Sequence, residues 1–300
     1  MDQRAKRPNE AQPSSGLKVE SGEHDAGGQI EVAEEKLPSR AAAIHEQIRQ
    51  EGEKELERDG QALLWSAVAA GLSMSASLMA KGILHAELAG GGASFLLENL
   101  GYTFGFIIVI MARQQLFTEN TLTAVLPIMQ KPSVNNILML LRLWGVVLAG
   151  NLTGTALAAY GFLRMPVLDD ATRQAFIALG NAVMAQTPTT LFAKSVFSGW
   201  IIATLVWMLP SAGPAKLPLI LLMTWLMGIG DLSHIVVGSV EMLYLVFHGD
   251  ISWYRFFYPF ALPTLAGNIV GGTFIFALLS HAQIRNDLSG QRKRRRTGRE

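Results

Sequence analysis

Residues Gly228–Glu241 read GIGDLSHIVVGSVE and close an apolar run that begins near Leu217. The run is long enough to cross a hydrocarbon core, which takes about 20 helical residues. It nevertheless places Asp231, Ser233 and His234 where a membrane helix carries apolar groups. An ionisable side chain at that depth is costly and faces a cavity or a protein partner. Gly228, Gly230 and Gly238 bracket these residues, and glycine lets a backbone leave the helical path or approach another closely. Irregular backbone inside a bilayer is tolerated only where it is buried in protein or lines a cavity. The stretch therefore reads as a helix broken at His234. A histidine satisfying a core hydrogen bond is the competing reading of the segment taken alone.

A second interruption lies upstream. The apolar segment Phe95–Met111 barely spans a bilayer, and the polar ARQQLFTEN (Ala112–Asn120) follows it before Leu122–Ile128 turns apolar again. One span broken around Arg113 and Thr118 accounts for this pattern better than two separate elements. Each broken segment precedes a span with the same motif: Gly150-Asn151-x-x-Gly154 first, then Gly267-Asn268-x-x-Gly271. Spans are expected near 62–84, 95–128, 137–162, 191–209, 217–247 and 259–279. They divide into three plus three, and an odd number per half makes the halves run in opposite directions. The expected fold is all-α and polytopic: six transmembrane helices in an inverted 3+3 repeat with two interrupted helices.

Composition agrees. Half of the 300 residues are hydrophobic and 16% are charged, against roughly 25% charged in an average soluble domain. The charges are segregated: positions 1–60 hold nine Lys/Arg and fourteen Asp/Glu, and 285–300 hold seven and two. Residues 1–60 read as a polar cytoplasmic tail, disordered to about Ser39, with an amphipathic helix over 41–59 that is either interfacial or simply solvated. Residues 61–282 read as the transmembrane domain and 283–300 as a basic cytoplasmic tail. RKRRR (Arg292–Arg296) marks the cytoplasmic side and contacts anionic lipid rather than nucleic acid. An even number of spans then puts both termini in the cytoplasm. A polar link near 165–188 is expected to carry a short surface helix to about Met184, and Ser252–Tyr258 forms an aromatic interfacial stretch. With no cysteine, disulfides and thiol catalysis are excluded. His234 and Asp231 are too few ligands for a metal site, and no catalytic constellation stands out, so neither an enzyme nor a cofactor is expected.

Taken together, LFT (Leu116–Thr118) at the first break, His234 at the second, WGxxxxGNxxG (Trp144–Gly154) and PxxxGNxxGG (Pro263–Gly272) resemble the formate/nitrite transporter family of bacterial inner-membrane anion channels. The resemblance covers about residues 62–282. It implies an aquaporin-like protomer with its own pore, assembled as a homopentamer and conducting small monovalent anions such as formate, nitrite or hydrosulfide. The family's slit threonine maps to Thr118, flanked by Leu116 and Phe117, and its pore histidine to His234. The aromatic constriction maps to Tyr102, with Phe106 one turn on, and Tyr102 adds a hydroxyl to a usually apolar ring.

The chain also departs from the pattern. Gln115 stands where the family carries an acid before the LF pair. Ser233 precedes the histidine where a carboxylate is common, Gly238 and Gly199 replace asparagines, and Lys194 is out of register with the family's outer-vestibule lysine.

Two devices are expected to lower the cost of desolvating an anion. Unpaired N–H groups at the broken helix ends attract negative charge. His234 acts as a charged or neutral donor that can pass a proton to a weak-acid anion. Thr118 hydrogen-bonds the permeant, while Tyr102, Leu116, Phe117 and Leu232 form apolar gates. Arg113 either attracts the anion or pairs with Glu119 or Glu241. Asn151 and Asn268 satisfy backbone at the breaks, and Gly150, Gly154, Gly267 and Gly271 bring helices close. A neutral-solute pore and a non-conducting membrane scaffold remain the alternative functions.

Overall fold

The computed structural model describes residues 40–88 and 90–284; the two tails of the sequence reading, including Arg292–Arg296, lie outside them. The chain is an all-α polytopic membrane protein. Helix α1 is Arg40–Glu57, α2 Gly60–Glu87, α3 Gly92–Gly101, α4 Thr103–Met111, α5 Val125–Gln130 and α6 Val134–Arg164. Then follow α7 Asp170–Met184, α8 Pro188–Met208, α9 Lys216–Ile229 and α10 Ile235–His248, and α11 Trp253–Ile284. Among the described residues five stretches are long and apolar enough to cross a membrane: α2, α3 with α4, α6, α8 with its short extension to Ser211, and α11. The shorter apolar α9 and α10 flank the break at His234.

Local chemistry sets the helix starts. Asp59 caps α2 by accepting from the Gln61 and Ala62 amides, Ser133 caps α6 through the Asn136 amide, and Thr187 caps α8 with Pro188 in its first turn. Each side-chain oxygen satisfies an amide that the helix leaves orphaned. Asp169 caps α7 by accepting from Thr172 N, and hydrogen bonding by the Thr172 hydroxyl, then by its amide, holds the Asp169 carboxyl below the ordinary carboxylate value. Gly249, left-handed at φ 101°, ends α10.

Packing pairs α2 with α6 and α8 with α11, and both pairs use the same device. A methyl on Gly71 would meet the Asn151 carbonyl, and one on Gly199 the Asn268 carbonyl. Gly154 faces the Val68 carbonyl and Gly271 the Val196 carbonyl. Lipid removes the hydrophobic drive between spans, so close backbone approach at small residues holds such pairs together. Helix α7 is no surface decoration. Phe176 is fully buried, lies 5.2 Å edge-on to Tyr244 of α10 and covers Gly82 of α2.

Two expectations change. Helix α1 belongs to the same compact unit as the spans and turns Ile48 and Leu56 onto protein, chiefly α5 and α6, rather than onto lipid or water. Gly52 rests against the Thr123 carbonyl and Arg142 donates to the Leu56 and Arg58 carbonyls, fixing both ends of that contact. The last span also starts earlier than Pro259, and its backbone leaves the helical path at Tyr258, where a following proline disfavours the α conformation.

Candidate functional site

Both breaks are built alike. Helix α4 ends with Arg113 N–H donating to Ile110 O and Gln114 N–H to Val109 O; α9 ends with Asp231 N–H to Gly228 O and Leu232 N–H to Met227 O. This bond pair defines a Schellman end, whose next residue takes the left-handed conformation. That residue is Arg113 at φ 53° and Asp231 at φ 48°. Neither is glycine, so each backbone carries strain.

The asparagines of the two GNxxG motifs then hold the chain beyond each turn. Asn151 accepts from Phe117 N at 2.9 Å and donates to the Ala67 and Gln115 carbonyls, both at 2.9 Å. Asn268 accepts from Ile235 N at 2.9 Å and donates to Ser195 O and Ser198 Oγ, with a longer bond to Ser233 O. Both are fully buried. By this correspondence Leu116 occupies in the first break the place of His234 in the second.

The two breaks meet at one hydrogen bond. Thr118 Oγ1 and His234 Nε2 lie 2.8 Å apart, both buried. His234 is also the cap of α10, with Nδ1 3.3 Å from the Val236 and Val237 amides. Those N–H groups donate, so Nδ1 is an acceptor and the ring proton sits on Nε2. The imidazole is therefore neutral and donates to Thr118, whose hydroxyl hydrogen remains available. The Phe106 ring stands edge-on to His234 at 5.1 Å, and Tyr102 tilts against Phe106 at 5.5 Å.

This arrangement alters two expectations. The first amides of α10 are not free to attract an anion, because Asn268 takes Ile235 N and His234 takes the next two. A charged His234 would need a proton on Nδ1 and would lose both cap bonds beside the positive helix end.

Two recesses open at opposite ends of α3–α4 and α9. The first, about 420 Å³, is lined by Glu51, Lys54, Glu55, Arg113, Gln114, Gln115, Glu119 and Lys216 among others. Its acids and bases balance. Arg113 makes no ion pair among the described residues, and Glu241 lines the other recess, so neither expected pairing forms. Gln115 accepts from Asn120 where an acid was expected.

The second recess, about 320 Å³, is lined by Lys81, Glu98, Tyr102, Asp231, Leu232, Ser233, His234 and Glu241 among others. Asp231 accepts from Lys194 Nζ at 2.5 Å and from Gln186 at 3.0 Å, so it stands at the mouth rather than at depth. Ser233 contributes its carbonyl to Ser198 and Asn268. Thr118, Phe106, Leu116 and Phe117 line neither recess. Phe117 packs edge-on against Trp144 at 5.8 Å, which places it against packed protein. The sequence reading missed the Lys194–Asp231 pair, although Lys194 was noticed as out of register. Among the described residues no group of three His, Asp or Glu side chains could hold a metal ion.

The family model described as formate/nitrite transporter matches residues 42–282. The chain belongs to this family. It is 66% identical over 282 residues to the inner membrane protein YfdC of Escherichia coli (strain K12), covering 94% of this chain and 91% of that one. It is 25% identical over 238 residues to a probable formate transporter of Methanothermobacter thermautotrophicus, covering 69% of this chain and 84% of that one. The fold matches a solved pentameric formate channel with formate bound at a TM-score of 0.66 and 20% identity, over 75% of this chain and 97% of that one. A second solved structure, an FNT family ion channel, matches at 0.66 and 19%, over 79% and 94%.

Proposed function

We propose that the chain is a channel or transporter for small monovalent anions of weak acids, of the formate and nitrite type. The observation that carries this reading is the Thr118–His234 hydrogen bond, buried where the two interrupted helices meet and set between two recesses. It leaves the Thr118 hydroxyl hydrogen unused and available to a permeant, next to the Phe106 and Tyr102 rings. Family membership supports the substrate class, and the matched formate channel supports a homopentamer. The repeated Schellman ends and asparagine brackets support a six-span inverted 3+3 protomer. The name of the 66% identical relative and the basic carboxy-terminal end support an inner-membrane location with both termini cytoplasmic. No enzymatic activity is proposed.

The test is uptake of a panel of anions into proteoliposomes by wild type, Thr118→Val and His234→Ala. Uptake by the wild type that falls at least tenfold in Thr118→Val supports the reading. Absence of any anion flux from folded wild-type protein would overturn it. The neutral imidazole and the carboxylates of the second recess favour a neutral-solute pore as the second reading. Stopped-flow swelling that is equal with and without membrane potential, and no anion uptake, would select it.

A further inference from the structure

Passage of a weak-acid anion across the apolar layer is easier as the neutral acid, and His234 cannot supply the proton without breaking its own cap. The second recess holds a different source. Three carboxylates line it, against one ammonium, Lys81. Two are occupied: Glu98 is 3.0 Å from His85 Nδ1, and Asp231 pairs with Lys194. Glu241 is only 7% exposed and makes no hydrogen bond or ion pair among the described residues, and Lys81 lines the same recess.

In the same recess, Tyr102 is 6% exposed and its hydroxyl is buried without a partner among the described residues. An unpaired buried hydroxyl is unfavourable, and a ligand oxygen would satisfy it. The elements packed around the recess add no further titratable group to its lining: α7 contributes Leu179, Ala182 and Val183, and α11 contributes Phe260.

We infer that Glu241 and Tyr102 form a proton-sharing site for the permeant. This rests on the small-anion reading above and names what the site selects: anions basic enough to accept a proton from a carboxylic acid. The protonated Glu241 carboxyl gives its proton to an oxygen of the anion, leaving Glu241 as carboxylate and the permeant as neutral acid. Tyr102 donates to the permeant's second oxygen, and a proton from the aqueous phase on the recess side, carried as hydronium, reprotonates Glu241. Nitrate and chloride, too weakly basic to accept the proton, stay charged and are rejected at the apolar layer.

The experiment follows formate, acetate, nitrate and chloride uptake in proteoliposomes alongside the proton movement reported by entrapped pyranine. Wild type is expected to carry formate or acetate with one proton each and to exclude nitrate and chloride. Glu241→Gln should lower acid uptake about tenfold and uncouple the residual flux from protons, with partial recovery in Glu241→Asp. Tyr102→Phe should raise KM several-fold with a smaller change in maximal rate. Coupled uptake unchanged in Glu241→Gln, or wild-type anion flux without protons, overturns this site while leaving the small-anion reading intact. No flux of any anion overturns both.

Discussion

At the scale of single residues, Arg113 and Asp231 each set a charge at a recess against backbone preference. Each occupies a left-handed position that ends a membrane helix, where a non-glycine L-residue costs about 1–2 kcal/mol. Arg113→Gly and Asp231→Gly should each raise thermal stability in detergent by relieving that strain, while removing a charge from one recess. Lower uptake together with a higher melting temperature is the expected outcome, and a lower melting temperature would show that the side chains hold the turns. The Lys194–Asp231 pair belongs to this scale and was not legible in the sequence. Its partners lie on separate elements, α8 and the second break, and no spacing rule joins them. His234 was legible as a break residue because an imidazole in an apolar run is conspicuous. Its cap role was not, since that depends on which way the ring turns.

At the scale of elements, the asparagine brackets decide whether the breaks survive in a bilayer. Each asparagine satisfies one amide and at least two acceptors in fully buried surroundings. Loss of a partner costs about 1–3 kcal/mol for each buried group left unsatisfied. Asn151→Ala and Asn268→Ala should therefore each destabilise the fold by about 3 kcal/mol or more, read as a large drop in the folded fraction in a detergent unfolding series. At Gly154 a Cβ would press on the Val68 carbonyl, and overpacking of this kind costs about 1–3 kcal/mol. Gly154→Ala should lower the melting temperature, whereas Gly145→Ala, where nothing lies near, should not. The repeat was readable because GNxxG occurs twice in the same order relative to a break. Helix α1 was legible as a helix, but its packing partner was not, because Ile44 and Ile48, one turn apart, look the same whether they face lipid, water or protein.

At the scale of the whole molecule, α1 is tied to the far end of the chain. His45 Nε2 and His281 Nδ1 share a hydrogen bond at 3.3 Å, which needs at least one neutral ring, and Trp207 lies edge-on to His45. Burial, then the His281 charge, holds the His45 pKa below its ordinary 6.5. The undocked helix thus binds protons more readily than the docked one, so docking is favoured above pH 6.5 and weakens as pH falls below it. Limited proteolysis of α1 should quicken between pH 7.5 and pH 5.5, and His45→Gln should flatten that dependence. Unchanged cleavage across the range would remove the histidines from the docking contact.

The correspondence that sets Leu116 where His234 stands has a consequence for how such a pore can change. One copy of the turn keeps its shape with a leucine there, so the socket does not need the imidazole to exist. The histidine earns its place at the second copy through the cap and through Thr118. The first copy, followed by a short turn instead of a long helix, makes no such demand. A duplicated frame whose spare position is already vacant of polarity can acquire or lose a polar group there without rebuilding either half.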